Sequence, residues 1–349
     1  MDEKSNSNIR RAIIKKAVAA ALLLLLVIYA VIAVLPRPEN FAGKNPMMKD
    51  GELPILIAHG GGNREFPDNT FEAFCNAYSV DKRVMMETDV SITADGIVIL
   101  SHDTTLDRKT NVIGKIADWS YVDLIEQRVD FGYTNPTKNQ TLSGDRVKFK
   151  NPDGIEVTPL DVEYAEEIDR SHRDNEVFLA TTLEELIVAF PNNKINVEIK
   201  QEGETGKRAF EAVLALLDKY NAYDRVVLAS FHDEIYSLFC EYQKMGLAPS
   251  NFMYSPGIAG VAKFYLMQLA GIDVFFKDGI CVLQLPTDDY YIQLGSRTVV
   301  DFAHKHNVAV HYWTINNKDE MRRLIEIGAD GIMTDYPHRL AEVYAEYSE

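Results

Sequence analysis

The chain has 349 residues, 46% of them hydrophobic, which is enough to bury a sizeable core, and its formal net charge is −16. Residues 1–36 hold five Lys/Arg against two Asp/Glu, so the remainder carries 31 basic and 50 acidic residues, a net −19. That surplus excludes a nucleic-acid binder and disfavours anionic membrane surfaces, so an anionic substrate would need a local positive site such as a metal ion.

The first element is apolar. Arg10, Arg11, Lys15 and Lys16 close a short tail over 1–16, and Ala17–Leu35 then runs without a charged residue. These nineteen residues would span about 28 Å as a helix, close to the thickness of a bilayer core. Only Arg37 follows closely, so the positive-inside bias predicts a single-pass cell-membrane anchor over 17–35. The tail would be cytoplasmic and everything beyond the anchor extracytoplasmic. A cleaved signal peptide usually has an apolar region of about 7–15 residues and a small-residue cleavage site. This run is longer, and no clean A-x-A precedes Pro36.

Residues 36–53 contain Pro, Asn and Gly with little periodicity and read as a tether. From 54 to 349, short β-type runs alternate with helical patterns. The predicted strands are Ile55–His59, Val84–Val90, Ile195–Lys200, Val226–Ser230, Asn251–Ser255, Ile280–Leu285, Val308–Thr314 and Gly331–Thr334. Helical periodicity falls near 70–80, 183–190, 205–220, 233–245, 258–270, 296–306, 317–327 and 337–347. Eight strand–helix units predict an α/β fold, a (β/α)8 TIM barrel. Ile97–Leu100 follows the second strand across Ala94-Asp95-Gly96, too short a link for a parallel crossover, so it predicts an antiparallel hairpin. Symmetry about that turn places Asp89 opposite roughly His102. Residues 104 to about 180 form an insertion after the second strand, long enough for a small subdomain or lid. It contains the triplet Asn139-Gln140-Thr141, a formal glycosylation sequon. Cys75, Cys240 and Cys281 lie far apart, and the odd count argues against a disulfide framework.

Active sites of such barrels lie at the C-terminal ends of the strands. Those ends carry His59; Glu87 and Asp89, two apart and so on one face; Glu198 and Lys200, again two apart; and Trp313. The hairpin returns His102. Three carboxylates at one rim repel one another unless a cation joins them, and an all-oxygen set suits Mg²⁺ or Ca²⁺ better than zinc. Salt bridging to Lys200 is the plainer alternative for any one of them. Two histidines beside such a cluster suit paired general acid and general base work, while Lys200 would offset charge on phosphate oxygens. Gly60-Gly61-Gly62 is either a phosphate-cradling loop or a tight turn.

The motifs, in order, are His59-Gly-Gly, Pro67-Asp-Asn-Thr70, Glu87-Thr-Asp89, Asp95-Gly96, His102-Asp103, Leu106-x-Arg108-x-Thr110 and Gly114. Downstream stand Thr182–Leu186, Asn196-Val-Glu-Ile-Lys200, Ser230-Phe231, Trp313–Asn316 and Gly328–Pro337. This series resembles the glycerophosphodiester phosphodiesterases across residues 54–340. The resemblance implies a (β/α)8 barrel with an insertion after the second strand. It also implies His59 and His102 as the acid/base pair, Glu87, Asp89 and Glu198 as metal ligands, and Lys200 as a phosphate contact. The chain departs from the family's HRG at Gly60, where Arg64 on the same loop is a candidate substitute, and from its PENT at Asp68.

The implied reaction is hydrolysis of a glycerophosphodiester to glycerol 3-phosphate and an alcohol outside the cytoplasm, on a small-molecule or lipid-derived substrate. Two alternatives stand beside it: phospholipase D-type cleavage of lysophospholipids, and an inactive barrel serving as a binding module.

Overall fold

The computed structural model describes residues 3–134, 146–289 and 292–347. The Asn139–Thr141 triplet lies outside the described residues.

Helix α1 (Glu3–Val34) is a single unbroken helix. Its Arg10–Val34 portion is long and apolar enough to cross a membrane, and none of its most apolar stretch is buried against protein. Such a helix is either a membrane span or a signal sequence, since water is a poor solvent for a helix face of Leu22–Leu26.

The domain beyond it is a parallel barrel. Its strands are β1 (Ile55–His59), β2 (Met85–Ile92), β4 (Ile195–Ile199), β5 (Val226–Ala229), β6 (Met253–Ser255), β7 (Val282–Leu285), β8 (Ala309–Tyr312) and β9 (Gly331–Thr334). A short antiparallel strand, β3 (Val98–Leu100), extends β2. The order is β6-β5-β4-β2-β1-β9-β8-β7. The seam between β6 and β7 is drawn together by a backbone bond from Cys281 N to Tyr254 O at 3.1 Å, so the barrel is nearly closed. The β2–β3 hairpin forms antiparallel as predicted, within one residue of the expected register. Val90 pairs with Leu100, and Ser101 N rather than His102 donates to Asp89 O at 2.8 Å. The turn accounts for the shift: Thr93 and Ile97 close it, so its centre of symmetry lies at Asp95.

Helices ring the barrel: α2 (Phe71–Val80), α4 (Leu183–Ala189), α5 (Gly203–Tyr220), α6 (Asp233–Met245), α7 (Ile258–Leu269), α8 (Arg297–Lys305), α9 (Lys318–Ile327) and α10 (Pro337–Ala345), with the short α3 (Tyr121–Glu126) in the insertion. Their starts follow local chemistry. Thr182 and Glu185 form a reciprocal capping box on α4, while Thr70, Ser296 and Asn317 cap α2, α8 and α9 through side-chain oxygens.

The apolar core has two parts. One lies between strands and helices, and insertion residues Phe131, Phe149, Val162 and Phe178 join it. The described residues of the insertion are therefore packed against the flank of the barrel. The other fills the barrel interior with Ile57, Met85, Val227, Met253, Val282 and Met333, and is closed from below by Phe41 and Met47. Residues 36–53, expected as a tether, thus also form the barrel floor. Asn45 Nδ2 donates to Cys281 O at 2.7 Å and Asn307 O at 2.8 Å, and His311 Nε2 donates to Met47 O at 2.8 Å. Full burial of Met47 is worth about 1.5–3 kcal/mol.

Candidate active site

Parallel register brings the polar strand ends together. His59 pairs with Glu87, Glu87 with Asn196, and Asp89 with Glu198, so residues far apart in sequence become lateral neighbours. Alternation then turns Glu87, Asp89 and Glu198 to the inside. Ligand oxygens of these three lie within 4.8 Å of one another, a group that could hold a metal ion. They share a cavity of about 210 Å³ with His59, His102, Lys200, Asn196, Gln284, Phe231 and Trp313.

Each carboxylate has a different anchor. Glu87 Oε2 accepts from Gly60 N at 2.8 Å. Burial, then the charge of Asp89, pushes Glu87 up to about 7, outweighing the opposing effects of His59 and of the Gly60 amide. Asp89 accepts from Asn69 Nδ2 at 2.9 Å and lies 2.9 Å from Lys200 Nζ. Burial alone would raise its pKa, but Lys200, His102 and Asn69 together hold it below the usual range. Glu198 is 2.8 Å from the same ammonium, yet burial and Asp89 keep it raised. For Lys200, burial works against the charge, and the two carboxylates outweigh it and raise the pKa. One ammonium among three carboxylates leaves net negative charge, so the donor set fits a hard divalent cation.

The histidines are each backed by a carboxylate. His59 Nδ1 lies 2.6 Å from Asp335 Oδ1, which places the proton on Nδ1 and turns Nε2 toward the cavity, 4.0 Å from Glu87. Burial would lower this imidazole, but the Asp335 hydrogen bond and the charges of Glu87, Asp335 and Asp89 raise it to about 9. His102 Nδ1 is 2.9 Å from Asp103 Oδ1, and Arg108 grips Asp103 from behind at 2.6 and 2.8 Å. Those two partners overcome burial and hold Asp103 well below the usual carboxylate range.

Arg64 and Gly60, expected at the phosphate, are not among the residues that line the cavity. Arg64 is 64% exposed, and its Nε sits 4.0 Å from Asp335 Oδ2, behind His59 and away from the cavity lining. The amides of Gly60, Gly61 and Gly62 bond Glu87 Oε2, Ala58 O and His59 O, so the glycine run is a tight turn and not a cradle. Gly60 has φ +54°, and a Cβ there would lie 2.9 Å from Asp68 Cβ, so an arginine could not replace it without moving the Pro67–Thr70 loop. Asp68 itself is ion-paired with Lys109.

Four supporting residues carried no role in the sequence reading. Asn69 joins Thr88 Oγ1, Asp89 N and Asp89 Oδ2, and so holds a candidate metal ligand. Asp335 orients His59 and is itself held by Asn316 Nδ2 at 2.7 Å. Asn69 and Asp335 lie within motifs noted above, and motif position was the signal. Asn196 Oδ1 and Gln284 Nε2 are buried at the cavity with no hydrogen-bond partner, which leaves them for a ligand's polar atoms. Gln284 sits mid-strand, where sequence offers no cue.

Residues 59–339 match the model of the Glycerophosphoryl diester phosphodiesterase family. The chain is 26% identical over 294 residues to a glycerophosphodiester phosphodiesterase of Caldanaerobacter subterraneus, covering 82% of this chain and 96% of that protein. It is 26% identical over 309 residues to the human lysophospholipase D GDPD1, covering 84% and 86%. In fold it resembles a phosphodiesterase of Oleispira antarctica solved with the product sn-glycerol-3-phosphate (TM-score 0.59, 18% identity, 84% of this chain and 97% of that one).

Proposed function

Because this chain belongs to the glycerophosphoryl diester phosphodiesterase family, we propose that it hydrolyses glycerophosphodiesters to glycerol 3-phosphate and an alcohol, with His59 and His102 as its acid/base pair. It is a phosphoric diester hydrolase, which sets aside the inactive barrel. The observation that carries the reading is the convergence of both histidines, three carboxylates and Lys200 on one cavity of about 210 Å³.

Diester cleavage requires one oxygen to lose a proton while the leaving alkoxide gains one. Asp335 and Asp103 hold the two imidazoles in fixed tautomers, each leaving Nε2 free for that exchange. The Lys200 ammonium offsets charge on a non-bridging phosphate oxygen, and Asn196 and Gln284 accept and donate to the substrate's polar atoms. Glu87, Asp89 and Glu198 would hold Mg²⁺ or Ca²⁺, which when bound supplies positive charge beside the phosphate. Phe231 and Trp313, edge to face at 6.2 Å, wall the mouth with apolar surface.

A second reading, release of the head group from lysophospholipids, is favoured by that aromatic wall and by the likeness to the human lysophospholipase D. We place the domain outside the cytoplasm, anchored by α1, on the charge asymmetry of the tail. The test is full-length protein assayed on glycerophosphocholine and lysophosphatidylcholine side by side, with and without chelator. Glycerol 3-phosphate released from the first, and lost with chelator, supports the main reading. Undiminished turnover in chelator rejects the metal, and activity on the lysolipid alone selects the second reading.

A further inference from the structure

Helix α7 has apolar residues on both sides. Phe264 points inward, against Phe276 and His306. On the outer side stand Ile258, Ala262, Leu266 and Leu269, at spacings of four, four and three that place them on one face. Ile258 is 73% exposed, Leu266 63% and Leu269 64%, and in the turn beyond, Phe275 is 62% exposed. The helix's single charged residue, Lys263, is held by Asp278 at 2.6 Å. A surface helix with an apolar outer face lacks the polar side that water requires.

The structure also says what lies beside this face. Arg37 Nε meets the buried Asp273 at 2.9 Å, and Arg37 Nη1 caps α1 by donating to Leu35 O at 2.8 Å and Ile32 O at 3.1 Å. The Tyr29 ring lies against the backbone of Gly271, where an added Cβ would come within 2.7 Å of the hydroxyl. The C-terminal end of α1 is thus fastened to the turn that ends α7. Tyr29 stands six residues before Leu35, about 9 Å inside the end of the 17–35 span, so a bilayer crossed by that span would reach the level of the turn at Gly271 that Tyr29 touches.

We infer that the outer face of α7, with Phe275, rests on the lipid bilayer that α1 enters. This inference rests on the reading of α1 as a retained span. Docking would be apolar and not electrostatic, as suits a domain of net −19. The same helix begins beside Pro256 and Gly257, which line the cavity, about 18 Å from its far end at 1.5 Å per residue. Laid on the bilayer, it brings the mouth to the surface where lipid-derived diesters reside.

The test uses the full chain in phosphatidylcholine nanodiscs, with nitroxide labels at Leu266→Cys, Leu269→Cys or Phe275→Cys. Cys75 and Cys281 are buried, and Cys240→Ser removes the remaining thiol. Leu24→Cys reports on α1 and Glu204→Cys on water. The expected result is that labels at 266, 269 and 275 collide more with oxygen than with a water-soluble nickel chelate, as the label at 24 does and the label at 204 does not. A lipid-exposed label at 24 with nickel-exposed labels at 266, 269 and 275 overturns the inference and leaves the anchor standing. Nickel exposure at all of them overturns both. Shielding from both reagents at 266 and 269, with spin–spin coupling between copies, overturns it in favour of a second copy on that face.

Discussion

Replacing Glu87 by Gln removes a carboxylate that the folded state holds under strain of charge. Glu87 is 2% exposed and shares a 4.8 Å group with Asp89 and Glu198. In an unfolded chain it would titrate near 4.5, whereas burial and the charge of Asp89 push it up to about 7 in the fold. Between those values the folded state keeps a proton that the unfolded state has released, so stability falls as pH rises through the window. At ~1.4 kcal/mol per pH unit, the full loss above pH 7 is on the order of 3 kcal/mol. Glutamine has the same shape, keeps an acceptor for Gly60 N, and carries no charge. Metal-free Glu87→Gln is therefore expected to melt several degrees above the parent near pH 8, with the gain fading toward pH 4.5. Millimolar Mg²⁺ or Ca²⁺ should narrow or reverse the order, because a cation held by all three carboxylates would favour the parent. Thermal melts of the detergent-solubilised full chain, with chelator and with cation, measure all of this. A variant no more stable than the parent near pH 8 in chelator, or a gain undiminished near pH 4.5, would refute the argument that uncompensated charge is stored there.

Asp335→Asn removes the negative charge that helps raise His59 and leaves at most a neutral acceptor for Nδ1, so the limb of the pH–rate profile governed by His59 should move to lower pH and kcat should drop at least tenfold; an unmoved limb rejects Asp335 as the positioning residue. Arg64→Ala should leave kcat/KM within about threefold, since Arg64 stands outside the cavity, and a tenfold loss would return it to the phosphate. Glu198→Gln should abolish turnover with the fold intact, and near-normal activity in added Mg²⁺ or Ca²⁺ would remove it from the ligand set. A reporter fused after Glu349 should be active only outside the cytoplasm, and cytoplasmic activity would reverse the orientation read from Arg10, Arg11, Lys15 and Lys16.

The number of strands, their alternation with helices, and the His59, Glu87, Asp89, His102, Glu198 and Lys200 constellation were legible in sequence. Period-two and period-3.6 patterns are local, and chemistry-bearing residues stand at strand ends whatever the packing. The apolar run of α1 was equally plain, being a property of consecutive residues. Tertiary structure decided the rest. Hairpin register depended on how Thr93 and Ile97 close the turn, which moved Asp89 opposite Ser101. The direction of Arg64 depended on Asp335, 271 positions away in the chain, and the use of the glycine amides depended on Glu87 from the neighbouring strand. Residues 40–48 became a barrel floor because the open end of a barrel exposes apolar side chains that Phe41 and Met47 cover. Local pattern specifies which groups a strand carries to the rim; only the closing of the barrel specifies which of them touch, because contact between distant segments is a property of register and packing and not of any one segment.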